Sequence, residues 1–206
     1  MDYTPIVRAI KATNPDVVFI ASYPPDSVGM LRAIHEVGLS PKMVGGGMVG
    51  LQFTSVMTSM GSMLNGIVNY DFWAPESTMM FPGIKEFFAQ YQPRAQKESM
   101  DPLGYYLPPY SYAAMQVLGQ AIEATKGLDQ QKVADYIRAT EFSTIVGKVK
   151  FGKNGEWAKG RTLMVQFQKI QGTGIDQFRG PGKKVVLYPD EFKSGNIIYP
   201  YSAAKN

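Results

Sequence analysis

The segment from Asn14 to Leu39 restricts the possible folds more than any other. Five apolar residues in a row, Val17, Val18, Phe19, Ile20 and Ala21, run into Ser22-Tyr23-Pro24-Pro25, and a helical pattern then ends at Gly38. An unbroken run rich in β-branched and aromatic residues predicts a strand buried on both faces of a parallel sheet. Proline removes a ladder donor and stops it. A helix is expected from Asp26 or Ser27, either of which can cap free amides. Val28, Leu31, Ile34 and His35 follow at helical spacing, and Gly38 suits a left-handed C-terminal residue. A strand, a sharp turn and a helix make half of a βαβ unit. In open α/β sheets, ligands gather at the carboxyl ends of strands, which makes Ser22 and Tyr23 candidate binding residues as well as turn residues.

The same alternation extends to either side. Thr4-Pro5 opens an earlier helix with Ile6, Val7 and Ile10 as its apolar stripe, ended by Asn14-Pro15. Met43-Val44 reads as a short strand leading into Gly45-Gly46-Gly47-Met48-Val49-Gly50, and a modest helix is expected from Leu51 to Met60. Gly66 to Tyr70 reads as a third strand. The order α-β-α-β-α-β predicts a doubly wound α/β half-sheet. Phe72-Trp73-Ala74-Pro75 breaks the alternation. Helices are expected over 83–91, 110–125 and 129–139, with Tyr105-Tyr106 in the loop between the first two. Met115, Leu118 and Ile122 mark the apolar side of the second. The period then changes to that of strands over 147–151, 162–170 and 184–188.

Composition removes several classes of function. No apolar run reaches the roughly 18 residues of a membrane span. A net charge of +4 without any basic cluster longer than Lys183-Lys184 gives no nucleic-acid footprint. With no cysteine and a single histidine, His35, there is neither a zinc ligand set nor a nucleophile–base pair, and no G-x-S-x-G elbow exists. His35 sits where its charged form complements a helix C-terminus. The carboxylates are scattered over turns, so no cofactor, metal or catalytic residue is assigned and no enzyme is expected. The opening residues show no basic stretch followed by an apolar one, so no secretory leader is expected within them. A sheet protein whose first element is a helix also reads as a segment of a longer one.

One motif points elsewhere. GGGMVG at Gly45–Gly50 matches the dinucleotide fingerprint G-x-G-x-x-G, and Asp71 follows Gly50 at about the 20-residue offset of a ribose-binding acid. The preceding strand is short and Asp71 abuts an aromatic segment, which argues against an oxidoreductase fragment without removing it. Tyr23, Tyr70, Phe72, Trp73, Tyr105 and Tyr106 in loops or at strand ends point instead to an aromatic-lined cleft for a small organic molecule.

Taken in order, DYTPIVRAIKATNPDVVFIASYPPDSVGMLRAIHEVGL, GGGMVG, GIVNYDFW, YSYAAMQVLGQAIEAT and the hairpin region from Phe142 to Trp157 resemble the branched-chain amino-acid-type, type I periplasmic substrate-binding proteins of ABC transporters. The resemblance implies an α/β, periplasmic-binding-protein-like I fold with doubly wound sheets in two lobes, here lacking most of the first lobe. It assigns 1–72 to the second lobe, 73–158 to a crossing segment with first-lobe helices and a hairpin, and 159–206 to a return into the second lobe. It further implies a periplasmic, non-catalytic component that closes on an amino acid, amide or aromatic acid and hands it to an inner-membrane permease. A ligand-sensing domain of the same fold is the other reading. Carried over by position, the expected ligand-binding set is Ser22, Tyr23, Gly46, Gly47, Met48, Phe53, Trp73 and Tyr106. In amino-acid-binding relatives a carboxylate for the ligand ammonium stands where this chain has Gly47, which leaves room for an aromatic acid or amide. Faces meant for an absent lobe imply a tendency to self-associate.

Overall fold

The computed structural model describes residues 1–205 and divides them into two compact units. The first comprises Met1–Thr78 together with the chain from Thr162 onward, and the second is Met79–Arg161.

In the first unit, helix α1 (Thr4–Ala12) leads to strand β1 (Val17–Ser22), helix α2 (Pro24–Val37), strand β2 (Met43–Met48), helix α3 (Thr54–Met60) and strand β3 (Val68–Asp71). Three strands of this series are parallel, as the α-β-α-β-α-β order requires. The late strands of the unit extend the sheet as an antiparallel pair, giving a mixed five-stranded sheet whose edge is β1 and whose third strand is β3. Val18, Ile20, Leu31, Ile34 and Val44 lie in its core.

One face of β1 is uncovered. The strand alternates, with Val18 and Ile20 buried but Val17 53% and Phe19 72% exposed. An apolar run alone cannot separate a doubly covered strand from one whose second face is open. Helix α2 also starts earlier than its capping residues suggest. Pro24 takes the first position, where its missing amide hydrogen costs nothing, and Ser27 is buried within the first turn. Gly38 adopts the left-handed conformation, φ 65°, expected of it. In α1 only Val7 is buried while Ile6 is exposed, so the stripe is narrower than its spacing suggests.

The second unit holds helices α4 (Ile84–Lys97), α5 (Pro108–Thr125) and α6 (Gln130–Ala139), then the hairpin β4 (Glu141–Thr144) and β5 (Gly147–Lys150). Helix α6 is capped by Asp129, whose carboxylate accepts the Lys132 amide at 3.1 Å. Helix α5 buries Ala113, Val117 and Ala121 and exposes Met115 and Leu118, a face turned from the one expected. Small residues permit the closer approach and therefore take the packed side.

The first unit is completed by β6 (Leu163–Phe167), β7 (Lys184–Tyr188) and a final turn over Tyr201–Lys205. Gln166 stitches this tail to the sheet. Its amide nitrogen donates to the carbonyls of Gly66 and Ile198 at 3.1 and 3.0 Å, and its oxygen accepts the Ile198 amide at 2.8 Å. Tyr201 is 3% exposed, and a Cβ at Gly66 would lie 2.7 Å from its ring. Burial pushes the Tyr201 phenol up to about 12. The folded pKa exceeds the unfolded value near 10, so the folded chain holds this proton more tightly. That stabilisation is complete below pH 10 and is lost as pH rises through 12, an amount on the order of 2–3 kcal/mol. Thermal melts of Tyr201→Phe between pH 10 and 12 are expected to fall less steeply than those of the parent; equal slopes would contradict the assignment.

Candidate functional site

Parallel pairing brings three carboxyl ends level. Ala21 pairs with Gly47 and Ser22 with Met48, while Gly45 and Gly46 pair with Val68 and Asn69. The rim of this edge is formed by Ala21–Tyr23 after β1, Gly47–Phe53 after β2 and Tyr70–Phe72 after β3.

Polar side chains hold the first two of these segments in place. Ser27 Oγ donates to the Tyr23 carbonyl at 2.9 Å and lies 2.8 Å from Ser22 Oγ. A hydroxyl has one proton, so Ser22 is the donor in the second bond and keeps only acceptor capacity for anything that approaches. Asn69, 1% exposed, replaces the backbone pairing that β2 and β3 lack beyond Gly46. Its oxygen accepts the Met48 amide at 2.9 Å and its nitrogen donates to the Met48 carbonyl at 3.0 Å. An asparagine in a strand gives no pattern by which sequence alone could mark it, and Ser27 was read only as a helix cap, so neither entered the expected ligand-binding set.

The triple glycine proves to be strand. Gly45, Gly46 and Gly47 lie inside β2, and the chain then makes a four-residue 3-10 turn, Val49–Gln52, before α3. A Cβ on Gly46 would stand 2.0 Å from the Ile20 carbonyl oxygen, and one on Gly45 would stand 2.4 Å from that of Val68. These glycines let backbones approach each other, not a pyrophosphate. Asp71 is 1% exposed and paired with buried Lys184, so it cannot reach a ribose. The dinucleotide alternative therefore fails on both its parts. Gly47 differs from its neighbours: nothing lies within 4 Å of where its Cβ would be.

Of the sequence-derived set, Ser22, Tyr23, Gly46, Gly47, Met48 and Phe53 come together at this rim. Tyr23 is 71% exposed, whereas Met48 and Gly46 are buried. Trp73 is in the core of the same unit, and Tyr106 belongs to the second unit. His35 is exposed on the last turn of α2, away from these strand ends in sequence and in the sheet.

The second unit has a concavity of its own, of about 300 Å³, between α5, α6 and the hairpin. Val117, Ile137, Val149 and Phe151 line it, with Tyr110 and Trp157 edge to face at 6.1 Å. A specific ligand site needs several convergent polar groups, and this hollow is lined almost wholly by apolar side chains.

Comparison with known proteins agrees with this arrangement. A family model described as periplasmic binding protein matches residues 1–172. Leu/Ile/Val-binding protein homolog 8 of Brucella abortus is 26% identical over 196 residues, covering 92% of this chain and 45% of its own length. A leucine-binding protein from Thermotoga maritima superposes with a TM-score of 0.67 at 22% identity, over 92% of this chain and 49% of that one. A solute-binding protein of an ABC transporter from R. palustris, solved with benzoate, gives 0.65 at 13% identity over 94% and 48%. The chain thus spans about half the length of the relatives it matches. With the mixed α/β sheet, the level strand ends and a family model that spans most of its residues, the chain belongs to the periplasmic binding protein family.

Proposed function

We propose that this chain is part of the extracytoplasmic solute-binding component of an ABC importer of the branched-chain amino acid/amide type, non-catalytic and serving an inner-membrane permease. The carrying observation is the rim of the first unit. Three parallel strand ends present Tyr23, Ser22 and the open position at Gly47, held in place by Ser27 and Asn69. Nothing in that set is arranged as nucleophile, base or metal ligand, so the chemistry it supports is contact and hydrogen bonding. Relatives support the reading, since one is a leucine-binding protein and another was solved with benzoate. The solute is accordingly a small organic molecule, with Ser22, Tyr23, Gly47 and Phe53 as one wall of its site. The rim sits at the carboxyl edge of the sheet, where this architecture places ligands.

Thermal melts of the full-length gene product against amino acids, amides and aromatic acids test the proposal. At a hundredfold excess over Kd, a true ligand adds about 2.7 kcal/mol and raises the melting temperature by roughly 5–10 °C. No shift with any member of the three classes would overturn it.

A further inference from the structure

The chain passes between its two units at Thr78–Met79 and again at Arg161–Thr162. On the side of the first unit, both passages leave from fixed points. Asp71, the last residue of β3, pairs with Leu163, the first of β6. The outgoing segment beyond Asp71 is tied down twice more. Buried Glu76 accepts the Gly182 amide at 2.7 Å, and the Thr78 hydroxyl donates to the Phe192 carbonyl at 2.7 Å.

On the side of the second unit, one cation holds the ends. Arg161 is only 9% exposed. Its guanidinium lies 4.8 Å from the centre of the Phe81 ring and 5.1 Å from that of Trp157, and it donates to the Val146 carbonyl in the hairpin turn. Both rings are within the distance, about 6 Å, at which an aromatic face attracts a cation, and loss of water strengthens that attraction. A flat guanidinium can stack on rings while its N–H groups reach a carbonyl, which an ammonium does poorly. Gly147, at φ 90°, makes the room: a Cβ there would stand 2.9 Å from the Phe81 ring and 3.1 Å from an Arg161 nitrogen. Trp157 is in turn bridged to Phe151 at the end of the hairpin. Phe81 stands just past the outgoing passage and Arg161 just before the return, so this contact joins the two ends of the unit. Little slack is left. Exposed Thr162 alone separates Arg161 from paired Leu163, and Met79-Met80 separate Thr78 from Phe81.

We infer that Arg161 is a positioning residue that fastens the outgoing and returning chain of the second unit at one point, through Phe81 and Trp157. Movement of one unit against the other is thereby confined to the backbone of Thr162 and Met79-Met80, since hinges are a few residues at the ends of elements. The inference rests on the solute-binding reading for its purpose, a movement of the units that a solute drives. Its test needs no solute.

Double electron–electron resonance on the full-length gene product, free of other cysteines, reads the distance between the units. Spin labels go on Glu36→Cys in α2 and Glu123→Cys in α5, both at exposed positions. The parent is expected to give a narrow distance distribution, and Arg161→Met to broaden it about twofold as the passages gain freedom. Arg161→Lys keeps a cation between the rings without the flat fork, and its width should fall between those two. Val149→Ala opens a cavity in the hairpin of the same unit, so it should lower the melting temperature and leave the width unchanged. Phe81→Leu removes one ring and keeps the cation; it should also broaden the distribution, and it replaces Arg161→Met if that variant does not fold. A parental width in whichever of these two variants folds overturns the inference. Equal broadening in Val149→Ala overturns it too, because loss of stability alone would then explain the effect. A melting screen in which no solute raises the transition bears on the solute-binding reading and leaves this measurement intact.

Discussion

Gly46→Ala is expected to lower stability by roughly 3 kcal/mol or more, whereas Gly47→Ala, one residue on, should change it by less than about 1 kcal/mol. The two glycines share a strand and differ in what surrounds them. At Gly46, φ is 152°, and a Cβ would meet the oxygen, nitrogen and carbon of Ile20 at 2.0, 2.7 and 2.8 Å. Those atoms are backbone of the paired strand and cannot turn aside as a side chain can. Either β1 and β2 separate or the pairing between Ile20 and Gly46 is lost. Gly47 meets nothing within 4 Å, so alanine adds no clash there and removes some freedom from the unfolded chain. Urea denaturation of the two variants side by side checks the contrast. Equal effects would mean that the glycine run is not there for strand approach.

Lys184→Met is expected to destabilise by about 3–5 kcal/mol, lowering the melting temperature by roughly 10 °C. The Lys184 ammonium and the Asp71 carboxylate are 3% and 2% exposed, and each is the other's counter-charge. Lys184 Nζ has no further hydrogen-bond partner. Removing the cation leaves a carboxylate in the core with only the Phe72 amide to satisfy it. The pair itself is a different matter from its breakage, because burying two charges costs about as much as their attraction returns. The double variant Asp71→Leu/Lys184→Met should therefore recover much of the loss, short of the Phe72 bond. A double variant less stable than the single one would show that the pair stabilises the sheet in its own right.

How much of this was legible depended on whether the signal was local. Val17–Ala21 announced a strand, and Gly38 announced a helix end, because each is decided by its own residues. The open second face of β1 was not announced, since exposure at Val17 and Phe19 is set by what packs on that face of the sheet, which the run itself does not encode. The Gly45–Gly47 run misled, because the glycines that suit a phosphate loop also suit strands in close approach, and only the positions of Ile20 and Val68 separate the two. Asn69 and Gln166 look like surface residues in a sequence. Their roles arise from carbonyls and amides 21 and 100 residues away, beyond any periodicity. For the rim, Ser22 and Tyr23 were singled out by the rule that strand ends face the ligand, and Gly47 by the family resemblance. Ser27 and Asn69, which fix them, were not.

Titration calorimetry of the full-length gene product, followed by chemical analysis of the recovered solute, tests the central claim most directly. The account predicts saturable one-to-one binding of a small organic solute that is returned unaltered. A chemically changed solute, or a fully folded protein that takes up none of the amino acids, amides or aromatic acids, would contradict it.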